Sequence, residues 1–550
     1  MLIVPCFTSF IAAAVNEPIQ KALSEAKALS IIFDGATDTS VAEVEIVYCR
    51  IVVDGRPKEY FVGLQDLQHA HSEGVVQALD RAMRQFGCDD WLQKLVGTGS
   101  DGASVNVGAN NSVRTRLQNG RPYVVNTHCV AHRLELGALQ AIKNNPMLQT
   151  LEEMFKLLHK HYHYSPKALR ELGQIADMME ERIIKPTRLQ GTRWLPHIMQ
   201  ASKALMNGYG PILAHFEHVS QAAPGQTTAE VKGRATYLAK KLKDWRVIRF
   251  MAFFQDLLEI VSGLSLKFQQ SSMTCLDFLD ALEAANLQLV ELGQGPGQHF
   301  SAFQNAVVAN DEGDHFYRGA KLTHVDVQQL YNFGDVIDSV QERINGRLDN
   351  KDNILCLARV FDTRDWPNTR VDLATYGNNN IESLSVHFAQ VLDRLHCNRD
   401  QLRPQWLEAK AHLGHRLIAN RIQRPTIQDL FQDRDRFSHL LILVDICLTL
   451  PVSSAICERG FSAVKRIKSD WRSSLSTQML NHLLAISIEG PSLEDYDAER
   501  AVHLWWTRGQ RTRRPQFEAA ADHVAPGDQD GEDQLLNFFL QHNHLQLAGQ

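Results

Sequence analysis

An α/β sheet unit continued into a large all-α body is the fold class this sequence predicts, and two observations predict it. The first third of the 550 residues interleaves β-branched apolar runs with helical stretches. From residue 129 to about 440 the apolar residues then keep the helical period, with no strand signal between them. At ~150 residues per domain the length predicts two to four domains. A content of 44% hydrophobic and 22% charged residues belongs to folded globular protein and excludes a mostly disordered or collagenous chain.

The elements follow in order. Residues 1–28 read as a helical lead. Its opening MLIVPCFTSFIAAAV looks like the apolar part of a signal peptide, but no Lys or Arg precedes it, and the longest later apolar run, HLLILVDICLTLP, is short and holds Asp445. Neither is read as membrane-directed. The runs SIIFDGATD (30–38), VEIVYCRIVV (44–53) and EYFVGLQDL (59–67) read as strands, with the turn signal DGRP at 54–57 making a hairpin of the last two. A helix over 72–86, a strand KLVGTGSD (94–101), a helix over 103–118 and a strand YVVNTH (123–128) complete a β-β-β-α-β-α-β order. Beyond it run helices such as LQTLEEMFKLLHK and AQVLDRLH, and one started by Ser165-Pro166, an N-cap followed by proline. GYGP, AAPGQ and LGQGPGQ read as inter-helix connections, and the last forty residues as a mostly disordered tail.

Chemistry enters through charge and spacing. With 57 Lys and Arg against 63 Asp and Glu, the net charge is −6, so a nucleic-acid partner has to be met by local basic patches. Nine scattered cysteines with no C-x-x-C pair exclude a disulfide scaffold and the standard zinc fingers. Asp34 and Asp101 each end a predicted strand and precede glycine, so two carboxylates emerge at one sheet edge, where they can share Mg²⁺ or Mn²⁺ for phosphoryl transfer. The bland alternative is a pair of ordinary Asp-Gly turns. Asp38, four residues past Asp34, is the competing first carboxylate and reads as a turn residue. Glu458 borders the stripe Cys457, Phe461, Val464, Ile467; it can reach a metal or merely complement a helix dipole. Cys129 and His132 have the spacing of half a zinc site, without a second half. HKHYHY (159–164) reads as a solvated helix end. Basic clusters lie at 232–249, which includes Lys240, Lys241 and Lys243, at 465–472 and at 508–515; each fits phosphate contact, nuclear import or a solvated helix face. MLNHLLAISI (479–488) is an amphipathic helix carrying Leu480, Leu483, Leu484 and Ile488.

Taken together, FDGATD, GTGSDGAS, HCVAHRLEL, GTRWLPH and SSAICERGFSAVKRIKSDWRSSL followed by NHLLAISI resemble, in that order, the transposases of the hAT superfamily. The resemblance implies an RNase H-like mixed sheet interrupted by a large helical insertion, with C-terminal dimerisation helices. Its parts would be residues 1–28, a first core part at 29–130, the insertion at 131–440, a second core part with the dimerisation region at 441–492, and a C-terminal helix and tail at 493–550. It puts Asp34, Asp101 and Glu458 in the catalytic and metal-holding positions, with two Mg²⁺ or Mn²⁺ ions as cofactors. Trp194 would stack on a base flipped from the cleaved flank, Arg193 would contact phosphate, and Cys129 and His132 would have a structural or DNA-positioning role on the first helix of the insertion. Lys240, Lys241 and Lys243 would bind DNA, and Leu480, Leu483, Leu484 and Ile488 would dimerise. The implied partners are DNA and a second copy, in the nucleus, with no membrane. One departure is the missing Cys/His framework of a BED-type finger, so specific recognition is expected to be absent or supplied by another protein. The alternative is a catalytically silent, transposase-derived dimerising protein that binds nucleic acid or regulates. An RNase H-like nuclease unconnected with transposition would need neither insertion nor dimerisation segment.

Overall fold

A computed structural model describes residues 3–37, 43–143, 145–184, 194–326, 331–348, 354–418, 426–469, 472 and 474–508. Five of its strands form one sheet: β1 (Leu29–Thr37), β2 (Glu43–Val53), β3 (Arg56–Asp66), β4 (Leu95–Ser100) and β5 (Val125–His128), in the order β3-β2-β1-β4-β5. The first three pair antiparallel, and β4 and β5 run parallel to β1. The predicted hairpin turn is Asp54-Gly55, whose φ values of 50° and 73° are both left-handed, the two-residue geometry that matches strand twist and that Asp-Gly adopts most easily. Because paired residues share a face, Ile32 and Asp34 lie with Tyr48 and Ile46 on one side of the sheet, and Ile31, Phe33 and Gly35 with Cys49, Val47 and Glu45 on the other.

Helix α1 (Ile3–Glu25) precedes the sheet, and α2 (Ser72–Gln85), α3 (Trp91–Lys94), α4 (Ser104–Val107) and α5 (Val113–Gln118) lie between its strands. The single helix expected over 103–118 is thus two short ones. After Gly108 a new N-terminus begins, where the Ser112 side chain accepts from the Thr115 amide and the Thr115 hydroxyl from the Ser112 amide.

Helices then dominate: α6 (Val130–Ile142), α7 (Pro146–His163), α8 (Pro166–Met178), α9 (Trp194–Asn207), α10 (Tyr209–Ser220), α11 (Ala229–Lys243), α12 (Trp245–Phe268), α13 (Cys275–Gln294), α14 (Gln298–Ala306), α15 (Gly334–Leu348), α16 (Ile354–Leu357), α17 (Arg370–Thr375), α18 (Asn378–His387), α19 (Ala389–Arg394) and α20 (Leu402–Ile418). Ser165 caps α8 as expected, accepting from the Ala168 amide. The buried α12 is the spine of this body, its Phe253 stacked on Phe333 with ring centres 4.0 Å apart. One expectation fails here. Three strands, β6 (Val307–Ala309), β7 (His315–Tyr317) and β8 (Ala320–Lys321), form a small antiparallel sheet inside the span that carried no strand signal. Strands of two or three residues are too short for a period of two to show.

The chain then returns as α21 (Ser438–Thr449), α22 (Ala455–Ile467) and α23 (Thr477–Glu489). Arg50 of β2 fastens the return. Fully buried, it pairs with Glu59 at 2.7 Å and donates to the carbonyls of Leu448, at the end of α21, and Met273, between α12 and α13. Such a buried pair survives because every donor finds an acceptor. Everything from Val15 to Gly490 forms one compact unit. A second unit takes in Met1–Ala14 and the chain from Pro491, including α24 (Glu499–Arg508), and within it Phe7 meets Trp505 edge to face at 6.0 Å. Among the described residues no helix is long and apolar enough to cross a membrane.

Candidate active site

The carboxyl ends of β1 and β4 and the start of α22 enclose a cavity of about 740 Å³ that Asp34, Asp101 and Glu458 all line. Glycines make this meeting possible. A Cβ on Gly97 or Gly99 of β4 would stand 3.0 to 3.1 Å from Leu450 or Pro451, and one on Gly460 would stand 2.4 Å from Ile46, so the segment bearing Glu458 can lie directly on the sheet. That contact puts Glu458 on the face of the sheet that Asp34 occupies. Cys129, buried where β5 gives way to α6, is the seam: its sulfur accepts from the Ser454 amide at 3.2 Å, and the Val130 amide donates to the Val452 carbonyl at 3.1 Å. Cys129 therefore ties the first strands to the returning chain, and His132, one turn on, lines the cavity.

Electrostatically the cavity floor is short of positive charge. Burial, and next the charge of Asp101, push the Asp34 carboxyl up to about 7. Asp101 is oriented by its own loop, its Oδ1 accepting from the Ala103 amide at 3.1 Å and from Asn106 Nδ2 at 2.8 Å. Behind Asp34, on the other face, stands Glu45, 2% exposed; its Oε2 lies 3.1 Å from where a Cβ on Gly35 would be, and its Oε1 is buried without a hydrogen-bond partner. Burial and the charges of Asp34 and Asp101 raise Glu45 well above the carboxylate range. This hard-oxygen, electron-rich floor fits a divalent cation in donor type and charge. In assembly the fit is incomplete: among the described residues no three His, Cys, Asp or Glu side chains stand close enough to hold an ion.

Basic side chains share the lining with the carboxylates: His132, His197, Arg459, Lys465 and Lys468. His128, whose ring lies over Gly102, is held down to about 4 by burial and by neighbouring His132 and Arg133. Glu458 itself falls in the first turn of α22, so the dipole contribution and the cavity position coexist.

The other expected residues sit apart. Trp194 begins α9 with its indole packed on the core and its Nε1 donating to Glu152 at 3.3 Å; it is not among the cavity-lining residues. Glu135 links it to the cavity, lining the wall while its Oε2 accepts from the Trp194 and Leu195 amides. Arg193 and Asp38 lie outside the described residues. Lys240, Lys241 and Lys243 occupy the last turn of α11, away from the cavity; Lys243 pairs with Glu217, Lys241 lies 5.7 Å over the Tyr237 ring, and Lys240 is exposed. Leu480 and Leu484 are buried within the chain, while Leu483 and Ile488 are half-buried. The sequence reading missed Glu45 and Glu135. The one signal for Glu45 was a charge inside an apolar strand; Glu135 looked like any helical glutamate.

Two comparisons bear on this arrangement. Residues 5–111, which carry Asp34 and Asp101, match the ZMYM1/FAM200 RNase-like domain. Residues 427–488, which carry Glu458 and α23, match the hAT family C-terminal dimerisation region.

Proposed function

From the premise that this chain is an hAT-family transposase-like protein with a region for self-association, we propose that it cleaves and joins DNA with an Asp/Asp/Glu site in an RNase H-like domain that the helical body interrupts. The observation that carries the reading is the convergence of Asp34, Asp101 and Glu458 on one cavity from opposite ends of the chain. Asp34 and Asp101 would hold Mg²⁺ or Mn²⁺, with Glu458 facing them. The bound ions supply an activated oxygen nucleophile and neutralise charge on the phosphodiester. The protein's own part is to orient Asp101 through Ala103 and Asn106, to fix α22 against the sheet through Cys129, and to line the phosphate's approach with basic side chains. Of the α11 lysines, exposed Lys240 is suited to a backbone phosphate; Arg193, outside the described residues, keeps only the phosphate-contact role that the motif implies. We assign Trp194 to the DNA flank only through movement of the α9 start that Glu135 now caps. A protein of this kind works on DNA in the nucleus, as a dimer or higher oligomer.

Purified protein should nick or join a DNA duplex in Mn²⁺, and Asp101→Ala should lower that activity by at least about a thousandfold. A second reading, a silent transposase-derived dimerising protein, is favoured by the incomplete three-residue cation group. Self-association without any Mn²⁺-dependent cleavage would select it.

A further inference from the structure

Along α22 the residues lining the cavity include Glu458, Phe461 and Lys465. Their spacing of i, i+3, i+7 is one stripe of an α-helix. The stripe carries a carboxylate, then an aromatic ring, then an ammonium group. Lysines near a helix C-terminus have an ordinary reason to be there, since they complement its dipole. That reason does not cover Phe461, an aromatic left half-buried on the cavity wall between Glu458 and Lys465 of the stripe. Lys465 is exposed, and among the described residues it makes no ion pair.

Dimensions give the stripe a meaning. A rise of ~1.5 Å per residue sets Lys465 roughly 10 Å beyond Glu458 along the axis, and each strand of a B-form duplex advances about 3.4 Å along the duplex axis per phosphate. A B-form strand whose reacting phosphate sits at the carboxylates would therefore bring a phosphate about three nucleotides away to Lys465, and a more extended single strand a nearer one. Arg459, the next residue round the helix, is used differently: its guanidinium donates to the Gln269 carbonyl and to Ser271 Oγ, bracing α22 against the end of α12. The helix is thus held rigidly while its stripe faces the cavity.

We propose that the cavity face of α22 is a track for one DNA strand, with Phe461 stacking on a base and Lys465 contacting a backbone phosphate. The identity of the reacting phosphate rests on the functional reading above. The binding does not, because it needs neither a cation nor intact carboxylates.

The test is fluorescence anisotropy of a labelled single-stranded oligothymidine with the full chain in EDTA. Wild type and Asp101→Ala should bind alike or the variant slightly tighter. Lys465→Ala should weaken binding about threefold to tenfold and make the dependence of log K on log salt shallower by about 0.7, the loss of one phosphate contact to a single strand. Phe461→Leu, which keeps the apolar volume, should cost roughly tenfold through lost stacking while leaving the salt slope unchanged. Unchanged affinity and slope in Lys465→Ala would overturn the track and leave the catalytic reading standing. Binding lost in both variants as expected, with no Mn²⁺-dependent cleavage by wild type, would sink the catalytic reading and keep the track.

Discussion

At the scale of single residues, burial rather than identity decides what a side chain does. His161, in a run that reads as a solvated helix end, is only 4% exposed, ringed by Tyr162, His215 and Phe216, with its Nε2 unpartnered. Burial, followed by the charges of His215 and Arg234, holds it down to about 4, while Glu171 pulls weakly the other way. A folded-state value below the ordinary ~6.5 means that the unfolded chain binds a proton the folded one refuses. The stability it contributes is therefore intact above about pH 6.5 and lost as pH falls through about 4. Asp34, raised to about 7, works in the opposite sense over the same range, so the informative quantity is a difference between variants. In His161→Phe we expect a gain on the order of 1–2 kcal/mol at pH 5, where the buried imidazole refuses a proton that the unfolded chain binds, and a smaller gain at pH 8, where only the unsatisfied nitrogen is relieved. Urea titrations at the two pH values would measure it, and an equal gain at both would refute the assignment. The same distinction separates what was legible among the site residues. Asp34 and Asp101 declared themselves by closing an apolar run or a strand and preceding glycine, although β1 continues past Asp34 to Thr37; Glu45 did not, because nothing in the local pattern says that its strand is covered on both faces.

Elements meet through features that sequence periodicity carries only in part. The helix α23 illustrates this. Its leucine stripe is readable, but a stripe does not say against which surface it packs, and Leu480 and Leu484 turn out to be buried in their own chain. What α23 covers is β3, the edge strand. Asn481 accepts from the Leu64 amide at 2.6 Å and donates to the Leu64 carbonyl at 2.8 Å, and Glu489 accepts from the Phe61 amide at 2.6 Å. Side chains thereby satisfy backbone groups that would otherwise invite a further strand. Asn481→Ala should cost about 1–3 kcal/mol, read as a lower urea midpoint, since both Leu64 groups would be left partnerless under the helix. A loss below about 0.3 kcal/mol would mean that water replaces the amide freely. The long elements were otherwise legible, all five sheet strands among them, because their runs are long enough for apolar period and turn chemistry to agree. The β6–β8 meander escaped because strands of two or three residues are too short for an alternation to be recognised.

For the whole molecule, the decisive relation is between the sheet and the chain that returns to it after the helical body. The glycines of GTG at 97–99 and Gly460 were visible as letters, but their use is visible only once Pro451 and Ile46 lie against them. Order of motifs, not composition, made the return legible. The same returning segment matches the hAT family C-terminal dimerisation region, so α23, besides packing on the sheet, is where we expect a second copy to bind. Leu480 and Leu484 hold it to its own sheet domain, which makes their substitution a test of folding rather than of association. Ile488 continues the Leu480 and Leu484 stripe, whereas Leu483, half-buried and about 100° round the helix from Leu484, is the residue we expect to meet a second copy. Leu483→Asp should therefore leave the chain folded, with an unchanged far-UV circular dichroism spectrum, while weakening self-association by at least about a hundredfold. A two-fold axis would set two such carboxylates into one desolvated contact, a cost of several kcal/mol. Light scattering at micromolar concentration should report a dimer or larger assembly for wild type and a monomer for the variant. An unchanged mass for Leu483→Asp would move the interface off α23, and a wild-type monomer would mean that this chain keeps the region without the association.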